Sequence, residues 1–182
     1  VTNLIFLFNI LITITLYYIN SIGIFKVLDL SEIKNDFLLE KGFLYIVSTP
    51  IGNLGDITIR ALETLKKVDF ILCEDTRITK KLLNKYNLSK KRLISYNDYN
   101  APLRRKSVIE NLVHKTFHYA LVSDSGTPLV SDPGFKLVEK CIKNNVKVTH
   151  IPGPSSVISG LILSGLSTDK FLFSGFFDKS SV

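Results

Sequence analysis

The chain has 182 residues, 46% of them hydrophobic, which is enough to bury a full core. Two cysteines (Cys73, Cys141) and three histidines exclude a disulfide framework and leave no His/Cys cluster with metal-ligand spacing, so no metal is expected. The formal charge of +7 is uneven: from Thr76 to Lys115 eleven lysines and arginines face two acids, a local net of +9 that suits a polyanion such as RNA.

In chain order, residues 1–25 come first, without a charge and rich in Leu, Ile, Phe and Tyr. Three readings stand open for them: a membrane anchor, a non-native extension upstream of the true start, or an apolar helix packed on a domain or partner. Residues 26–41 are mixed and polar and read as a linker. Strand and helix patterns then alternate. Phe43–Ser48 is a buried strand, and Thr58–Lys67 a helix with Ile59, Leu62 and Leu65 on one side and Asp56 or Thr58 as its cap. Val68–Cys73 is a second strand. Ile78, Leu82, Leu83 and Tyr86 mark one stripe of a helix whose other face is lysine. Leu93–Ser95 is a short strand, and Asn100-Ala-Pro102 opens a helix with Val108, Ile109, Leu112 and Val113 as its core stripe. Tyr119–Ser123 is a strand. A helix from Gly134 to about Asn145 turns Phe135, Val138, Cys141 and Ile142 inward. Val146–Ile151 is a strand, Ser155–Ser164 a small-residue helix, and Phe171–Ser174 a last strand. Both cysteines fall in apolar stretches and read as core residues. The alternation predicts an α/β fold, a doubly wound and mainly parallel sheet with right-handed crossovers.

Three Gly/Pro-rich loops each follow an apolar strand: Ser48–Asp56 (STPIGNLGD), Ser123–Gly134 (SDSGTPLVSDPG) and Pro152–Ser156 (PGPSS). Parallel strands would open all three onto one sheet edge, where α/β sheets bind ligands. The first loop is neither a Walker A sequence nor GxGxxG, so nucleoside triphosphates and dinucleotides are poorly served. Main-chain recognition of an adenine or amino-acid group fits better. Singly, each loop is also explained as turn chemistry.

Four segments carry a closer resemblance: residues 48–60, CEDTR (73–77), VSDSGTPLVSDPG (122–134) and IPGPSS (151–156). Over about Gly42–Phe177 the chain resembles the ribosomal RNA small-subunit methyltransferase I family, cytidine 2′-O-methyltransferases of the tetrapyrrole-methylase superfamily. The resemblance implies methyl transfer from S-adenosylmethionine to a cytidine ribose in the decoding region of 16S ribosomal RNA, by a cytoplasmic homodimer. It implies a cofactor cleft lined by Pro50, Ile51 and Gly52, by Asp124, Ser125, Gly126, Leu129 and Ser131, and by Ser155 and Ser156. Ser125 stands where the family has alanine.

Glu74, Asp75 and Arg77 match the family's EDTR segment and are the candidates for catalysis. Glu74 or Asp75 would accept the 2′-hydroxyl proton, and Arg77 would hold a phosphate. Asp75 also suits a helix N-cap. Arg77, Lys80, Lys81, Arg104, Arg105 and Lys106 are the candidate RNA contacts. The expected organisation is an apolar segment 1–25, a linker 26–41 and an N-terminal methylase domain 42–182, with the start of a C-terminal domain near 170–182. The family's second α/β domain is missing from this reading. A separate chain would then supply it, or the chain is an inactive remnant retaining at most RNA binding. A membrane-tethered module rests on residues 1–25 alone.

Overall fold

The computed structural model describes residues 41–176. The apolar segment 1–25 and all of the expected linker except Lys41 lie outside the described residues, so their three readings are not addressed by it. Strands β1 (Phe43–Val47), β2 (Phe70–Cys73), β3 (Arg92–Ser95), β4 (Tyr119–Val122) and β5 (Lys147–Ile151) form a sheet in the order β3-β2-β4-β1-β5. All four neighbouring pairs are parallel. The sequences explain the order. FLYIV, FILC and YALV are continuous apolar runs and occupy the three central positions, buried on both faces. RLIS and KVTHI are mixed and take the two edges.

Helices α1 (Ile59–Lys67), α2 (Thr76–Lys85), α3 (Ala101–Val113), α4 (Phe135–Lys143) and α5 (Ser156–Leu163) fill the connections and follow β5. Right-handed crossovers on this strand order put α1 and α2 on one face and α3 and α4 on the other. The packing agrees. Leu44, Ile46, Leu72 and Leu121 share a core with Val108 and Leu112 of α3 and Leu137 and Cys141 of α4. Local chemistry sets the helix starts: Thr58 Oγ1 accepts from Ala61 N–H at 3.1 Å, and Asp75 Oδ1 from Arg77 N–H at 2.8 Å. Cys73 and Cys141 are both fully buried, and burial pushes the Cys141 thiol up to about 12.

Five expectations differ. Ile78 on α2 and Val113 on α3, both expected in core stripes, are exposed. On α4 the inward stripe is Leu137 and Cys141 with Val138 partly buried, while Phe135 and Ile142 are about two-thirds exposed. Gly134 is the cause. Its φ is +131°, and a Cβ there would lie 2.5 Å from Leu121 Cδ2, so the helix starts hard against β4 and Leu137 turns in. On α1, Ala61, Thr64 and Leu65 face inward and Ile59 faces out, because the small Ala61 allows the closer approach. Phe171–Ser174 forms no strand: with β1 on one side of β5, nothing in the segment pairs with its other side, and an unpaired apolar tetrapeptide has no ladder to join.

Candidate functional site

The three Gly/Pro loops emerge from β1, β4 and β5 at the carboxyl edge of the sheet and are laced into one wall. Thr49 and Gly126 exchange main-chain hydrogen bonds of 2.9 and 3.1 Å, an antiparallel bridge between the first and second loops. Thr127 Oγ1 donates to Pro154 O at 3.0 Å, tying the second loop to the third. That commits the Thr127 proton, so Ser48 Oγ donates to Thr127 Oγ1 at 3.2 Å and accepts from His150 Nε2 at 3.3 Å. Burial, followed by the Arg60 charge, lowers the His150 pKa. Glycine is required at 126. Its φ is +85°, and a Cβ would sit 3.2 Å from Ile51 Cγ2, so a side chain would wedge the first two loops apart.

Beside this wall the end of β2 delivers two carboxylates into opposite settings. Glu74 is half-buried. Burial, then the charges of Asp124, Asp132, Asp98 and Asp75, push its carboxyl above the usual range. Asp75 caps α2 and is gripped by Arg77, whose Nη2 lies 2.6 Å from Oδ2 and whose Nε lies 3.1 Å from both oxygens. The Arg77 side chain and main-chain N–H hold the Asp75 carboxyl at about 2. Asp124 Oδ1 accepts the Asp75 N–H at 3.0 Å and so fastens the second loop to the end of β2. Burial raises the Asp132 pKa against the Ser123 hydroxyl, and Asp124 adds to it. Neighbouring acids pushed apart in this way are the pattern of a site that moves a proton.

The predicted cofactor residues fall on the laced loops. Pro50 and Gly126 are buried within the wall; Ile51, Asp124 and Leu129 are half-buried; Gly52, Ser125 and Ser131 are exposed. Leu129 and Ser131 hold left-handed backbone, φ +73° and +61°, which turns the main chain of the second loop sharply. Ser155 is the N-cap of α5 with its hydroxyl making no cap bond, and Ser156 is the first helical residue. Gly52 has open space where a Cβ would stand, with φ +149°. The exposed Gly52 and the carboxylates of Asp124, Asp132 and Glu74, close enough to act on one another, fit a ligand that is both cationic and recognised through its backbone-like groups.

The basic candidates divide. Arg77 and Lys80 on α2 share a cavity of about 470 Å³ with Ser89 and Lys91, and Lys81 is exposed nearby on the same helix. Arg104, Arg105 and Lys106 lie on α3, which packs on the other face of the sheet; Arg105 Nε reaches Tyr96 Oη at 3.4 Å. The six do not form one patch. Sequence reading passed over Asp98 and Asp132, and also the lacing by Ser48, Thr49, Thr127 and His150. Asp132 was discoverable, because it stands inside the same SDPG turn; the lacing pairs residues up to 102 apart and leaves no local pattern.

The tetrapyrrole (corrin/porphyrin) methylase profile matches residues 43–178, most of the chain and all of the laced wall. The chain belongs to the tetrapyrrole methylase family. Similar curated members are named ribosomal RNA small subunit methyltransferase I. One from Hydrogenobaculum sp. is 50% identical over 138 residues, 76% of this chain and 60% of its own. One from Thermotoga maritima is 51% identical over 135 residues (74% and 60%), and one from Rickettsia prowazekii 51% over 143 (79% and 50%). The chain thus spans about half to three-fifths of the length of these relatives. The crystal structure of a uroporphyrin-III C-methyltransferase from Thermus thermophilus shares the fold, with a TM-score of 0.52 at 20% identity, covering 70% of this chain and 53% of that one. Among the described residues, no group of His, Cys, Asp or Glu is placed to hold a metal ion, and no helix is long and apolar enough to cross a membrane.

Proposed function

We propose that this chain carries the donor wall and the proton-accepting carboxylate of an S-adenosylmethionine-dependent ribosomal RNA methyltransferase, acting on a cytidine 2′-hydroxyl in the decoding region of the small subunit. The names of its relatives support the substrate class. One observation carries the site: the half-buried Glu74 carboxyl, pushed up by burial and the acids around it, follows β2 beside a wall built from three loops. Pro50, Ile51 and Gly52, then Asp124, Ser125, Gly126, Leu129 and Ser131, and finally Ser155 and Ser156 line the donor's place. S-adenosylmethionine, when bound, supplies a methyl group on a sulfonium that needs no further activation. Asp124 and Asp132 complement that positive charge. Glu74 takes the 2′-hydroxyl proton; Asp75, held near 2 by Arg77 and spent on capping, is the poorer base. Arg77 keeps Asp75 through Nε and Nη2 and offers its remaining Nη1 to an RNA phosphate.

The working unit in this reading is a cytoplasmic homodimer whose remaining cleft wall comes from sequence beyond the described residues or from a separate chain. Calorimetric titration of the chain with S-adenosylmethionine is the direct test, with tritiated methyl transfer to undermethylated small subunits as the second arm. Binding abolished by Asp124→Asn and Gly126→Val supports the donor wall. Heat that those two variants leave unchanged sinks it.

A further inference from the structure

A second basic feature lies at the amino edge of the sheet, away from the donor wall. There a cavity of about 340 Å³ is lined by Lys67, Lys90, Lys91 and Arg92 together with Asp69, Phe70 and Phe117. Its acid is already answered, since His118 gives Asp69 both its main-chain N–H and its Nδ1 contact at 2.7 Å. The Arg92 guanidinium sits 5.8 Å from the centre of the Phe70 ring, and Phe70 is itself fixed by an edge contact with Phe117 at 5.1 Å and a stack on Tyr119 at 5.3 Å. A cation held over an aromatic platform is pre-ordered. Lys91 is anchored as well, its Nζ donating to Val68 O at 2.8 Å.

Lys91 also lines the cavity that holds Arg77 and Lys80. The two cavities therefore meet at one residue and follow edge strand β3 from its amino end to the Glu74 corner. Charged residues on an edge strand are explained by protection against aggregation. That explanation covers Lys90 and Arg92 being charged; it does not cover two cavities joined at an anchored lysine, or an arginine braced on phenylalanine.

We infer that this track, Arg92 and Lys90 through Lys91 to Lys80 and Arg77, binds the sugar-phosphate backbone of a single RNA strand and feeds it to the Glu74 corner. The inference rests on the RNA methyltransferase reading above. A row of cations along a groove is what tracks the backbone of unpaired RNA without reading sequence. It also assigns different work to α3: Arg104, Arg105 and Lys106 lie off the track.

The test is fluorescence anisotropy of the full chain with labelled single-stranded oligocytidylate over a range of KCl. Lys90→Gln with Arg92→Gln should weaken binding roughly tenfold and lower the slope of log affinity against log salt by about 1.4, the share of two phosphate contacts to a single strand. Lys90→Arg with Arg92→Lys keeps both charges and should restore the slope, which separates lost charge from a damaged fold. Lys136→Gln with Lys140→Gln, on α4, should change neither. If the wild-type chain does not bind the RNA, the RNA reading falls and the track with it. If the wild-type chain binds and the Lys90/Arg92 glutamine pair keeps its slope, the track alone is overturned.

Discussion

Glu74 and Asp75 are neighbours in sequence with opposite titration behaviour, and the difference has consequences for activity and stability together. Burial and four surrounding carboxylates raise the folded-state pKa of Glu74 above its ordinary 4.5. A raised value means that its stabilising share is present below 4.5 and is lost as pH rises through the folded value. At neutral pH the fold therefore carries an ionised, partly desolvated carboxylate at a cost, which suits a base and not a structural residue. Glu74→Gln is expected to lower kcat for methyl transfer at least about a hundredfold. The same change should raise the thermal midpoint at pH 7 and leave it nearly unchanged at pH 4. Asp75 runs the other way: its share is present above 3.8 and is lost as pH falls through about 2. Paired melting curves of Glu74→Gln and Asp75→Asn across this range check the signs, and a Glu74→Gln protein less stable at pH 7 than wild type contradicts the assignment.

At the scale of elements, the turn residues decide more than the helix interiors. Gly134 sets how closely α4 approaches β4, and Gly134→Ala meets both a left-handed φ and a Cβ 2.5 Å from Leu121. Overpacking plus backbone strain predicts a loss of about 2–4 kcal/mol in urea unfolding. Thr58→Ala removes only the cap of α1 and should cost about 1 kcal/mol. A Gly134→Ala cost no larger than that of Thr58→Ala would mean that α4 is not fixed by this contact. The same contact explains what the sequence could and could not tell. Apolar runs for β1, β2 and β4 and capping residues for α1 and α2 are local and were readable, as were three loops on one sheet edge. The inward face of α4 was not, because the stripes Phe135–Val138–Ile142 and Leu137–Cys141 both have helical spacing, and only the non-local approach of Gly134 to Leu121 chooses between them. Cys141 and Val138 were nevertheless read correctly as inward, and only Phe135 and Ile142 were misplaced. CEDTR drew attention to Arg77, but its pairing with Asp75 depends on the rotamer adopted once Asp75 caps α2.

Among the described residues two surfaces differ in character: the β3 edge of the sheet and the segment that follows β5. The β3 edge is basic, and its interactions are electrostatic, so they fade as salt rises. After β5 the chain is apolar and open: Leu163 and Leu172 are 85% and 88% exposed, and Ile162, Leu166 and Phe176 add to them. A contiguous run of exposed large apolar side chains on this scale is a surface for association. Association through it should respond to salt in the opposite sense, unchanged or strengthened, because burial of apolar area is not screened. Sedimentation velocity of the chain at rising concentration should show a monomer giving way to a dimer or larger species. Leu166→Glu with Leu172→Glu should hold it monomeric while leaving the salt slope of RNA binding intact. A chain that stays monomeric at all concentrations, or an association that added KCl dissolves, would show that the apolar segment is not what draws copies together. The two readouts assign each surface its own role, since no single condition weakens both.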